Sequence, residues 1–73
     1  MQLRINASYR DKDGNILIPR SHFKDETGLK YAIFEHISYT GDEKRFTISH
    51  DTMSLKQIKT ALDLSKNERV EII

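Results

Sequence analysis

The sequence predicts an α+β fold, mainly β in its N-terminal part with one short helix, and helical at its C-terminus. Three observations carry that expectation. Residues 1–10 alternate strictly, with Met1, Leu3, Ile5, Ala7 and Tyr9 apolar and the residues between them polar, the period of a half-buried strand. An Asp-Gly pair follows, separating this run from the aliphatic stretch Ile16-Leu-Ile18. Near the C-terminus, Ser54-Leu-Lys-Gln57 and Ser65-Lys-Asn-Glu68 both have the spacing of a reciprocal capping box.

The elements follow in order. Residues 1–10 form a first strand, and Lys12-Asp13-Gly14-Asn15 makes a tight turn, since Asp-Gly favours positive φ. Ile16, Leu17 and Ile18 return as a second strand, apolar on both faces, which Pro19 ends because it has no amide to donate. Ser21 caps a short helix with Phe23 as its apolar anchor, and Gly28 closes it in the left-handed conformation. In the segment from Lys30 to Tyr39, Tyr31, Ile33, Ile37 and Tyr39 share one strand face, although Ile33, Phe34 and Ile37 would also line a helix. Aromatic and β-branched content favours strand there. A turn at residues 40–43 leads to another strand in which Phe46 and Ile48 alternate with Arg45, Thr47 and Ser49. Two short helices, parted at Asp63-Leu64, complete the chain; Leu55, Ile58 and Leu62 stripe the first, Val70 and Ile73 the second more weakly.

A chain of 73 residues is a single domain with little core, and without cysteine it has neither disulfides nor a cysteine–histidine zinc site. Dimerisation is the simplest remaining way to enlarge the core. At 37% hydrophobic and 32% charged residues the chain is globular rather than disordered. The longest apolar run, Tyr31 to Phe34, is too short to span a membrane, and residues 1–20 lack the apolar core of a signal peptide. A cytoplasmic location is expected. The formal net charge is only +1, but it is segregated: residues 1–24 sum to +3, residues 25–43 to −4 and residues 44–73 to +2. A basic N-terminal third is compatible with nucleic acid, as it is with ordinary solvated charges.

No motif in the sequence carries catalysis. Asp11-Lys-Asp13-Gly-Asn15 resembles the start of a calcium loop, but its glycine comes two positions early, and His22 stands where a bidentate glutamate is needed. His22, His36 and His50 are scattered without metal-binding spacing, and His50-Asp51 is a lone dipeptide. The Gly41 loop lacks phosphate-loop spacing, and no serine sits in a nucleophile elbow. An enzyme, a metal or a cofactor is therefore not expected. Residues 55–73 partly fit a helix-turn-helix, but Asp63 stands where a turn glycine is favoured and Arg69 where an aliphatic anchor is needed. Two helices packed on the sheet or on a partner subunit are the simpler expectation.

The order strand, acidic turn, glycine, aliphatic strand, proline, short helix, glycine, hairpin resembles the AbrB-like (SpoVT/AbrB, MazE, MraZ) swapped-hairpin domains. Asp11-Lys-Asp-Gly14-Asn15-Ile16-Leu-Ile18-Pro19 carries the likeness, followed by Gly28-Leu29 and by the stretch from Phe34 to Ser49; it covers residues 1–49. Asn15 stands where the family commonly has arginine, and Ser21, His22 and Asp25 replace arginine-rich positions of its helix. The resemblance implies a barrel-like homodimer of exchanged hairpins, in which Ile16, Leu17 and Ile18 are sandwiched at the interface. It also implies that Arg4, Arg10, Lys12, Arg20 and Lys24 grip the phosphates of double-stranded DNA, with Asn15 adding a base or phosphate hydrogen bond.

One domain spanning residues 1–73 is thus expected, with a β-hairpin module over 1–49 and a helical C-terminal extension over 50–73. The first functional expectation is a homodimeric DNA-binding regulator or antitoxin, with residues 50–73 free to hold a partner protein. The alternative is a small interaction module or inhibitor, of the type phages and mobile elements encode. It would modulate a partner protein without DNA, through the acidic segment Asp25 to Glu43 or the C-terminal helices.

Overall fold

The computed structural model describes residues 1–40 and 45–73. Its elements are β1 (Gln2–Leu3), β2 (Tyr9–Arg10), β3 (Ile16–Lys24), β4 (Lys30–Thr40), β5 (Arg45–Ser54), α1 (Leu55–Ala61) and β6 (Glu71–Ile72). The strands β2-β3-β4-β5 form an antiparallel meander in chain order, while β1 pairs in parallel with β6 to make a second, two-stranded sheet. The mixed, mainly β class expected from the sequence is found. A swapped hairpin needs strands of two chains interleaved; here every strand of the meander pairs with its sequence neighbour in one chain.

Two hairpin turns with the same construction organise the meander. In the first, the Asp11 amide donates to the Asn15 carbonyl (2.9 Å) and Asp11 Oδ1 accepts from the amides of Asp13 (2.9 Å) and Asn15 (2.8 Å). In the second, the Asp25 amide donates to the Leu29 carbonyl (2.9 Å) and Asp25 Oδ1 accepts from the amides of Thr27 (2.8 Å) and Leu29 (3.0 Å). Each turn reaches its fourth position with a glycine at positive φ, +82° at Gly14 and +86° at Gly28. This is the three-residue hairpin loop closed by a left-handed glycine.

The helix expected after Pro19 is therefore corrected to strand. β3 runs on through Pro19 to Lys24 and pairs with β4, and Gly28 closes a hairpin rather than a helix. A lone helix of this length is marginal in water, whereas the strand gains a ladder with Lys30–Ile33 and a ring stack of Phe23 on Tyr31. Pro19 does not end the strand either. β2 has already stopped, its pairing reaching only Ile16 and Leu17, and a register shift between Pro19 and Ser21 leaves Arg20 as the extra residue of a bulge.

Two further expectations are corrected. The alternating run 1–10 is broken at Asn6, with φ +70° and a turn bond from the Ala7 amide to the Arg4 carbonyl (3.1 Å). It becomes β1 and β2 in different sheets, because asparagine tolerates the left-handed conformation and Leu3 and Tyr9 reach the core from either side of the bend. The second C-terminal helix is also absent. Ser65 makes only a turn, its carbonyl and hydroxyl accepting from Glu68 and Asn67, and the β-branched Val70 and Ile72 lead into β6. The first helix forms as expected, with Ser54 and Gln57 making the reciprocal capping box. Residues 30–39 are strand and residues 46–48 lie in β5; of the turn expected at 40–43, Thr40 ends β4 and residues 41–43 lie outside the described residues.

The core lies on one face of the meander. Leu17, Ala32 and Phe34 point from the sheet towards Leu3, Ile58 and Val70, all at most 7% exposed, and Pro19 is buried beside them. Tyr9, Met53, Leu55, Leu62, Leu64 and Ile72 close its rim. The boundary between residues 49 and 50 falls inside β5, and Ile58 of α1 and Val70 just before β6 are buried with the sheet residues, so the C-terminal part belongs to the same core. No helix among the described residues is long and apolar enough to cross a membrane.

Candidate functional site

Side chains alternate across a strand, so the register assigns the opposite face of the meander. Ile16 of β3 faces Ile37 of β4, which faces Ile48 of β5; Ile33 pairs with Ser21 and Thr52, and Phe23 with Tyr31. Towards the distal end, Tyr39 pairs with Phe46. The residues of this face run about 26 Å along β4 from Tyr31 to Tyr39, at roughly 3.3 Å per residue. None of its isoleucines belongs to the core cluster or packs against it. Among the described residues, α1, β1 and β6 contribute to the first face and leave this one without a covering element. Ile48, Tyr39 and Phe46 are 51%, 58% and 61% exposed.

One ion pair sits within the apolar field. Arg20, pushed out of register by the bulge, donates through Nε and Nη2 to Glu35 Oε2 (2.9 and 2.8 Å) and through Nη1 to Asn6 Oδ1 (2.8 Å). Glu35 lies between Ile18 and His50 in the register, so the centre of the face carries one acid and one base that already neutralise each other. At one end Phe23 and Tyr31 stack with ring centroids 5.5 Å apart and planes 14° from parallel. Beside them, Asp25 is held below the ordinary carboxylate range, first by the hydrogen bond from the Thr27 hydroxyl (2.6 Å) and then by the turn amides.

On the core face, His36 stands between two carboxylates. Its Nδ1 lies 3.3 Å from Asp51 Oδ2 and its Nε2 3.6 Å from Asp11 Oδ2, tying the first turn to β4 and β5. Nε2 is buried without a hydrogen-bond partner, since 3.6 Å is too long for one. Among the described residues no group of histidine and carboxylate side chains is placed to hold a metal ion.

The six residues implied by the resemblance to grip DNA are spread over the molecule. Arg10 and Lys12 lie at the first turn, Arg10 donating to the Gly14 carbonyl (3.1 Å) and Lys12 bonded through its amide to the Ala61 carbonyl (2.8 Å). Asn15 closes that same turn through its backbone. Arg20 is committed to Glu35 and Asn6, and Arg4 lies on the segment between β1 and β2, its amide bonded to the Tyr9 hydroxyl (2.7 Å). Lys24 is at the far end of β3, about 26 Å from the first turn at the rise of a strand. Three lysines absent from that set, Lys56, Lys59 and Lys66, line an open cleft beside α1, and Lys12 shares an adjoining hollow with Lys56. The spacing of three between Lys56 and Lys59 along α1 was the sequence signal for that pair; Lys66 lies beyond the helix. The chain matches no protein-family model, no curated protein and no solved structure.

Proposed function

We propose that this chain is a small, non-catalytic protein-interaction module that works through the uncovered face of its meander. The observation that supports this reading is the apolar field of Tyr31, Ile33, Ile37 and Tyr39 with Ile16, Ile48 and Phe46 beside them, interrupted at its centre only by the Arg20–Glu35 pair. Exposed apolar patches of this kind mark binding surfaces on small soluble domains. Three aromatic side chains at its ends, Phe23, Tyr39 and Phe46, are the residue types that anchor interfaces. This is the interaction-module alternative read from the sequence, with the contact placed on the uncovered sheet face, of which Tyr31 to Tyr39 lie within the segment Asp25 to Glu43, rather than on the C-terminal helices. The test is substitution of Ile33→Asp and Ile37→Asp, which leave the core face untouched. Both are expected to abolish partner binding while far-UV circular dichroism stays that of the wild type. Retained binding by both variants overturns the reading.

A second reading, double-stranded DNA binding by a regulator or antitoxin, draws support from the grouping of Lys12, Lys56, Lys59 and Lys66 around α1. Four lysine–phosphate contacts would give a slope of about −3.6 in log affinity against log salt, by counterion release. A low-salt fluorescence titration against duplex DNA decides it: Lys56→Glu with Lys66→Glu should eliminate binding, and no binding by the wild type removes the reading.

A further inference from the structure

We propose that the occupant of the uncovered face is the same face of a second copy of this chain, so that two meanders stack into a β-sandwich dimer. The inference rests on the interaction reading above and names its partner. Three observations converge on a second copy.

The first is area. The chain exposes 5411 Å². A compact monomer of 8.5 kDa exposes roughly 4,650 Å² by the surface scaling of monomeric proteins, leaving an excess of about 760 Å². A standard stable interface takes about 800 Å² from each partner. The molecule is correspondingly long for its size, 43 × 23 × 18 Å with a radius of gyration of 12.7 Å, where a compact chain of this length has about 11 Å.

The second is charge. At the centre of the face Arg20 and Glu35 neutralise each other, so two copies meet across a two-fold axis without like charges being forced together. A strongly charged partner would find no unbalanced charge there to recognise. The third is the size of the existing core, whose buried hydrophobic residues among the described residues number six, Ala32 among them. Stacking two sheets about 10 Å apart interdigitates Ile16, Ile18, Ile33 and Ile37 with their counterparts and supplies a second apolar layer. A dimer of this kind needs no exchange of hairpins.

Analytical ultracentrifugation of the full chain, with isotope-filtered nuclear Overhauser spectra on a mixed labelled and unlabelled sample, tests the proposal. The expected result is a 17 kDa species, twice the 8.5 kDa of one chain, with intermolecular contacts among the methyl groups of Ile18, Ile33 and Ile37. Ile37→Asp should raise the dimer dissociation constant on the order of a hundredfold, and Ile37→Val should leave it within a few-fold. If Ile37→Asp fails to fold, the filtered spectra of the wild type still decide. A dimer whose intermolecular contacts lie elsewhere, along β5 for instance, overturns the proposal. So does a monomer at millimolar concentration. In that case, comparing proteins captured by the wild type and by Ile33→Asp separates the two ideas: a face-dependent partner preserves the interaction reading, and none removes both.

Discussion

At the residue scale, the two hairpin turns are written in the pattern Asp-x-x-Gly-x, once as Asp11-Lys-Asp-Gly14-Asn15 and once as Asp25-Glu-Thr-Gly28-Leu29. The aspartate satisfies turn amides and the glycine supplies the positive φ that a side chain resists. A Cβ at Gly14 or Gly28 would meet open space, so replacement costs backbone strain alone. Gly14→Ala and Gly28→Ala are each expected to cost about 1–2 kcal/mol. For a domain this small, each kcal/mol lowers Tm by about 4–8 °C in thermal circular dichroism. Asp25 carries the pH dependence. Its pKa is lowered in the folded state, so its contribution is complete above the unfolded value, near pH 4, and is lost as the pH falls through the folded value. Amide exchange at Thr27 and Leu29 should therefore accelerate in strong acid relative to the rest of the sheet. Asp25→Asn should abolish that difference while keeping the turn.

At the element scale, α1 is too short to persist alone and depends on its cap and its anchor. Ser54→Ala removes the acceptor of the Gln57 amide and should cost about 1 kcal/mol, read as a shift in the denaturant midpoint. Ile58 is fully buried beneath the helix. Ile58→Ala should cost about 2–5 kcal/mol, enough to unfold a domain with so small a core. The bulge at Arg20 belongs to this scale as well. It lets β3 pass a proline and continue, and it aims Arg20 at Glu35. The long strand beyond Pro19 was hidden in the sequence because local signals there favour other structures. Proline reads as a stop and Ser21 as a helix cap; only pairing with β4 along Ser21–Lys24 outweighs them.

At the scale of the whole molecule, the chain closes on itself through its ends. β6 pairs beside β1, with the Glu71 amide donating to the Met1 carbonyl (3.0 Å) and the Ile73 amide to the Leu3 carbonyl (2.9 Å). Val70 and Leu3 are buried together by this closure. Deleting residues 70–73 should expose Leu3 and abolish cooperative unfolding, visible as loss of dispersion in proton–nitrogen spectra. The stacked dimer has its own signature, since binding between copies stabilises the folded state by mass action. Tm should rise as protein concentration increases in the wild type and become independent of it in Ile37→Asp.

Period and turn chemistry made much of the meander legible. Tyr31, Ile33, Ile37 and Tyr39 were expected on one face, and Ile16-Leu-Ile18 on both, which is how the strands present them. Such features act over a few residues, and a linear pattern records them. What the sequence could not express was which segments meet. Residues 1–10 alternate whether or not Asn6 bends them into two sheets, and Ser65-Lys-Asn-Glu68 has the form of a helix start whether or not Val70 is drawn to Leu3. The tertiary structure decided both, because long-range pairing and burial outweigh capping and propensity energies of about 1 kcal/mol. It also decided which of the two sheet faces α1 and β6 cover, and so which one the described residues leave uncovered.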